Sequence, residues 1–198
     1  MFKYKSSERN IFFCSDPHYS HKNLIKSLST WQSGAHRDFK SISHHNDTLV
    51  NNINNTVGKD DVLFMLGDVA FGGYENVREF MGRIVCDEIH LILGNHDKHI
   101  KLNRDGIKNC FTTVNTRIEV FIDDNMFVLD HYPIHEWEDC WKGSYHLYGH
   151  QHNLTATRFS NGDNRSMDVG FDGHPEFRPY SLNEIYTLLE NKSYKSHH

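Results

Sequence analysis

The chain has 198 residues, of which 37% are hydrophobic and 13% aromatic, and carries a formal charge of −5. That length suits a single domain, residues 1–198, with a full core. No apolar run approaches the ~20 residues that span a bilayer, and no long basic run offers duplex nucleic acid a footprint.

Residues 10–15 are predicted as a strand, followed by a helix starting near Ser20 with Leu24, Ile25 and Leu28 at helical spacing. A second helix is expected over 38–57, with Ile42, Leu49, Val50, Ile53 and Val57 on one face. The asparagines from Asn51 to Asn55 weaken its last turn, because asparagine is a modest helix former. Strands ending at Gly67-Asp68 and at Gly94 follow, separated by a helix over 74–84, and then a short helix over 98–104. Residues 111–114, 117–122, 126–130, 145–148 and 166–169 read as strands, with Asp123-Asp124-Asn125 as a hairpin turn. A final amphipathic helix is expected over 181–190. A βαβαβ half followed by a β-rich half predicts two sheets packed face to face with helices outside.

The opening Met1-Phe2-Lys3-Tyr4-Lys5 leads into charge rather than an apolar signal core, so a cytoplasmic protein is expected. Cys14, Cys86, Cys110 and Cys140 lie far apart with no C-x-x-C pair, which suits free thiols in a reducing compartment. Of sixteen histidines, His197 and His198 end the chain and resemble a tag remnant. His36, His44, His45, His90, His99, His146 and His174 match no motif and are expected to be surface or structural.

Chemistry concentrates in five short segments: Asp16-Pro17-His18, Gly67-Asp68, Gly94-Asn95-His96-Asp97, His131, and Gly149-His150-Gln151-His152. Several sit where an apolar run stops, and in open α/β sheets ligands collect just outside strand ends. Pro17 biases Asp16 toward extended backbone, where side chains two apart share a side; Asp16 and His18 are expected to grip one ion that way, and His150 and His152 share the spacing. Gly67 and Gly94 are expected where a side chain would obstruct a sharp turn. Each residue alone has an ordinary explanation, a turn aspartate or a structural histidine. Jointly they make a nitrogen–oxygen donor set without thiolate, which suits Mn²⁺, Fe, Zn²⁺ or Ni²⁺ better than a soft metal or an all-oxygen Mg²⁺ or Ca²⁺ site; Mn²⁺ is the ion expected.

The order D-x-H, G-D, G-N-H-D, H and G-H-x-H resembles the calcineurin-like metallophosphoesterase superfamily, from Asp16 to His152. The segments from Ser166 to Asp172 and from Arg178 to Leu182 resemble the tail of its small bacterial and phage members. The resemblance implies a four-layer α/β/β/α sandwich with two mixed sheets flanked by helices. It implies two divalent ions, one held by Asp16, His18 and His152, the other by Asn95, His131 and His150, with Asp68 bridging. Phosphoester hydrolysis would then proceed by attack of a metal-bridging hydroxide. His96 would act on the phosphoryl group or the leaving oxygen, and Asp97 would orient His96 or, more simply, cap the following helix. The Ser/Thr protein phosphatases carry an arginine shortly after G-D; Gly67-Asp68-Val69-Ala70-Phe71-Gly72-Gly73 lacks it. A small phosphorylated metabolite or nucleotide, monoester or diester, is the expected substrate. The alternatives are a nuclease on single-stranded ends and a non-catalytic scaffold, which full occupancy of the ligand positions disfavours. Phe71, Trp137, Trp141 and Tyr148 are candidates to stack a base. Nothing in the sequence identifies a protein partner or an oligomeric state.

Overall fold

A computed structural model describes residues 2–30, 37–152 and 165–192. In chain order its elements begin with β1 (Phe2–Tyr4), β2 (Ile11–Cys14), α1 (Ile42–Thr56), β3 (Val62–Met65), α2 (Tyr74–Gly82), β4 (Glu88–Ile92), α3 (Lys98–Lys101) and β5 (Thr113–Asn115). They continue with β6 (Arg117–Ile122), β7 (Asn125–Asp130), β8 (Tyr145–Tyr148), β9 (Ser166–Asp168), β10 (Tyr180–Ser181) and α4 (Leu182–Leu189). One five-stranded sheet has the order β10-β2-β3-β4-β5, the other β1-β6-β7-β8-β9. Both are mixed: β10 runs antiparallel to β2 in the first, and β6 antiparallel to β7 in the second.

Alternation along the strands builds two core layers at once. Phe12, Cys14, Leu63, Met65, Ile89 and Leu91 face α1 and α2, while Ile11, Phe13, Val62, Phe64 and Leu66 face Val120, Phe127, Leu129 and Leu147 of the second sheet. Leu49 and Ile53 of α1 are fully buried, and each contributes about 1.5–3 kcal/mol by leaving water. Leu182, Ile185 and Leu189 of α4 join the inter-sheet layer. The expected sandwich is therefore present. The cover on the far face of the second sheet is thin: Trp137 and Cys140, with a 3-10 turn at Cys140–Lys142, pack on Met126 and Val128.

Three local expectations need correction. The helix placed at Ser20 is only a 3-10 turn, Lys22–Leu24. His18 and Ser20 take left-handed φ values of 50° and 64°, and Ile25 pairs with Arg37 in a β-bridge, so Leu24 and Ile25 are buried by a turn rather than a helix face. The second helix starts later, at Ile42, where the Ser41 side chain accepts the His44 N–H. Its asparagine-rich turn stays helical because Asn52 donates to the Phe177 carbonyl and Asn54 to that of Arg83. The edge strands β1 and β10, three and two residues long, were too short to show a period. Asp123-Asp124 does turn the β6–β7 hairpin, with Ile122 opposite Asn125. His36, His197 and His198 lie outside the described residues. Among the described residues no helix is long and apolar enough to cross a membrane.

Candidate metal centre

Parallel pairing sets Cys14, Met65 and Leu91 side by side, so the loops after β2, β3 and β4 leave the first sheet at one edge. The loops after β7 and β8 bring His131 and the His150–His152 segment to the same place. Asp16, His18, Asp68, His150 and His152 all hold left-handed backbone, with φ between 50° and 70°. That overturns the expectation of extended backbone at Asp16: the loop turns there at once, and such strain clusters at functional sites. Gly94 is required for a different reason, since a Cβ there would overlap the Asp68 carboxylate.

The donors converge. Asp16 Oδ1 lies 3.4 Å from His18 Nε2 and 3.6 Å from His152 Nε2. Asp68 Oδ2 sits between two imidazoles, 3.6 Å from His18 Nε2 and 3.7 Å from His131 Nε2. Asn95 Oδ1 is 2.9 Å from His131 Nε2. Asp16, His18 and His152 form one group able to hold a metal ion, and Asp16, Asp68 and His131 another, with donor atoms within 4.8 Å of one another. His150 is exposed, its ring centroid 5.2 Å from that of His131. His96 is also exposed, with Nε2 3.9 Å from Asp68 Oδ2.

Two observations test whether a cation suits this cluster. Asp16 Oδ1 and His18 Nε2 are buried without a hydrogen-bond partner, a costly state unless something else binds them. The spacings of 3.4–3.7 Å are too long for hydrogen bonds, yet donors about 2.1 Å from a shared ion lie roughly 3–3.4 Å apart. His131 adds a third sign: Nδ1 faces the Leu66 carbonyl at 2.7 Å and Nε2 faces an amide oxygen, while a neutral imidazole has one N–H for two acceptors. A cation at Nε2 removes the conflict.

Around the donors lies a layer of orienting groups. His152 Nδ1 is 2.7 Å from Asp172 Oδ2, and Asp172 in turn accepts two hydrogen bonds of 2.8 Å from Arg37. Arg37 also donates to the Asp16 and Pro17 carbonyls at 2.7 and 2.8 Å, clamping the first loop. Ser15 Oγ and the His150 N–H donate to Asp16 Oδ2. Asp97 occupies the helix N-cap position but makes no side-chain cap bond. Its carboxylate instead accepts the N–H groups of Asp68, Val69 and Gly94 at 2.8–2.9 Å, tying the second loop to the third. Neither does it touch His96 through any of these bonds.

Burial dominates the electrostatics. It pushes the Asp68 and Asp97 carboxyls up, and pulls His18 down to about 3 and His96 and His150 below their usual value. Asp16 goes the other way: burial would raise it, but His18, His152 and His131 outweigh that and hold it below the usual carboxylate range. Burial likewise opposes charge on His152, yet the Asp172 hydrogen bond raises it. A neutral His18 beside an ionised Asp16 is in the form that ligates metals.

Arg37, Asp172 and His21 were missed as site residues. Arg37 and Asp172 are 135 residues apart, and no periodicity links them. Of the aromatic candidates, Phe71 alone touches the centre, with its ring against His21 and His96. Trp137 and Tyr148 are buried, and Trp141 packs on the outer core.

No protein-family model matches the chain. An uncharacterized protein of Methanocaldococcus jannaschii is 29% identical over 188 residues, covering 93% of both chains. The Gene 66 protein of Mycobacterium phage L5 is 29% identical over 210 residues, covering 92% of this chain and 95% of its own. Among solved structures, a protein of unknown function from Aquifex aeolicus superposes with a TM-score of 0.69 at 18% identity, over 91% of this chain and 99% of that one, a likeness of fold. A novel archaeal phosphodiesterase matches more loosely, with a TM-score of 0.43 over 81% of this chain, too distant to bear on function.

Proposed function

We propose that this protein is a metal-dependent phosphoester hydrolase of the calcineurin-like type, acting on a small phosphorylated metabolite or nucleotide. The observation that carries it is the cluster of Asp16, His18, Asp68, His131 and His152, spaced for cations, in which Asp16 Oδ1 and His18 Nε2 are buried without a hydrogen-bond partner. Asp68 would be shared between two ions, with Asn95 and His150 completing the His131 side. Bound divalent cations supply Lewis acidity and a water of lowered pKa, with Mn²⁺ the favoured ion.

The chain's own residues would do the rest. Asp97 fixes Asp68 by accepting its N–H, and Asp172 and Arg37 fix His152 and the Asp16 loop. His96, exposed and packed against Phe71 at a ring-centroid distance of 4.7 Å, would donate a proton to the leaving oxygen or a hydrogen bond to the phosphoryl group.

The test is a panel of phosphomonoesters, phosphodiesters, nucleotides and short oligonucleotides assayed with added Mn²⁺. Turnover of the small esters, abolished by a chelator and restored by metal, is the expected result. Preference for oligonucleotide ends would select the nuclease alternative, and absence of turnover across the panel would defeat the enzymatic reading.

A further inference from the structure

Three imidazoles of the candidate centre point Nε2 at the carboxylates, and each has its Nδ1 against another group. For His131 that group is the Leu66 carbonyl at 2.7 Å, and for His152 the Asp172 carboxylate at 2.7 Å. Both are oxygen acceptors, and they fix the proton on Nδ1. For His18 the partner is another imidazole: His21 Nδ1 at 3.2 Å.

The sequence builds this contact through its tight turn. Left-handed backbone at His18 and Ser20 lets the His21 N–H donate to the His18 carbonyl at 3.0 Å, which folds the two rings to a centroid separation of 5.1 Å. His21 is 5% exposed and lies flat on Phe71, rings 3.5 Å apart and within 5° of parallel, so it cannot swing away. His21 and Phe71, with Ser20, Lys22 and Gly72, line an open groove of about 630 Å³.

We infer that His21 is a positioning residue for the metal centre: its Nδ1 lone pair accepts the His18 Nδ1–H and so holds the His18 Nε2 lone pair toward the metal. A neutral imidazole has one proton for two nitrogens. If Nε2 of His18 ligates, the proton is on Nδ1, and His21 must be the tautomer with its own proton on Nε2. The inference rests on the metal-site reading above. It makes His21 the counterpart of Asp172 and Leu66, with a neutral nitrogen in place of an oxygen.

Two substitutions separate this role from packing. His21→Phe keeps an aromatic ring on Phe71 and removes the acceptor, whereas His21→Asn places an amide oxygen near the Nδ1 position and gives up the stack. Zinc affinity, measured by competition with a chromophoric chelator, is expected to fall about 10–100-fold in His21→Phe and only a few-fold in His21→Asn. Equal losses in the two variants, or an unchanged His21→Phe, overturn the inference. Should His21→Phe fail to fold, nitrogen-15 NMR of the unaltered zinc-loaded protein decides: a proton on His18 Nδ1 with His21 Nδ1 bare supports the assignment, and the reverse contradicts it. Failure of the unaltered protein to bind zinc would defeat the metal site and the inference together, whereas bound zinc without ester hydrolysis would defeat only the proposed function.

Discussion

Both ends of this sandwich bury a histidine beside a carboxylate, and they do so to different ends. Near the start of β4, two residues beyond Glu88, His90 is 1% exposed, with Nε2 2.7 Å from the Tyr4 hydroxyl and Nδ1 2.9 Å from Thr113 Oγ1. Tyr4 also donates to Glu88, which pairs with Arg9. Both ring nitrogens of His90 have partners, and the network ties β1 of one sheet to β4 and β5 of the other. Where the same strands end, the donors aim at one another, and Asp16 Oδ1 and His18 Nε2 are left without partners. Burial of polar groups does not by itself mark a functional site; burial without internal satisfaction does.

The sharpest break of that comparison is Asp68→Asn. Asp68 Oδ2 stands between His18 and His131, so its neutral isostere should reduce bound metal and abolish hydrolysis, while the thermal midpoint of the metal-free protein changes little. Near-normal turnover with full metal content would return Asp68 to a structural role. His96→Ala should cut kcat by about 10²–10⁴-fold with metal content intact. The loss should be smaller for nitrophenyl esters, whose leaving groups need little protonation. Equal losses across leaving groups would instead assign His96 to the phosphoryl oxygens.

Asp172→Asn removes the carboxylate that orients His152 and should weaken metal binding by about 10–100-fold. At the other end, His90→Leu leaves Tyr4 and Thr113 without their partner and should destabilise the fold by about 1–3 kcal/mol in chemical denaturation, with metal affinity unchanged. The smallest effect is acid sensitivity at Glu88. Burial would raise its carboxyl, but Tyr4, Arg9 and His90 outweigh that and bring it down to about 2. A depressed carboxyl contributes stability above its unfolded value of about 4.5 that is lost as pH falls through about 2. Glu88→Gln should flatten the stability profile across that window; an unchanged slope would mean that Glu88 gains nothing from its partners.

Much of this contrast was legible in the chain. Apolar runs such as Val62-Leu63-Phe64-Met65-Leu66 located the strands, and the aspartate and histidine motifs at their ends come together in one cluster able to hold a metal ion. What lay hidden was set by tertiary pairing. Arg37 and Asp172 meet only after the chain closes, and His21 reaches His18 only because a left-handed turn replaces the helix that Leu24, Ile25 and Leu28 suggested. His90, set aside as structural, is so, and its satisfied nitrogens give the reason.

The central claim is that the strand-end cluster, and not the network at the opposite end, binds divalent metal. Metal content after equilibrium dialysis against Mn²⁺ or Zn²⁺ tests it most directly, in the unaltered protein, Asp16→Ala and His90→Leu side by side. The account predicts stoichiometric metal in the first and third and its loss in the second. Metal retained by Asp16→Ala, or absent from the unaltered protein, would contradict it.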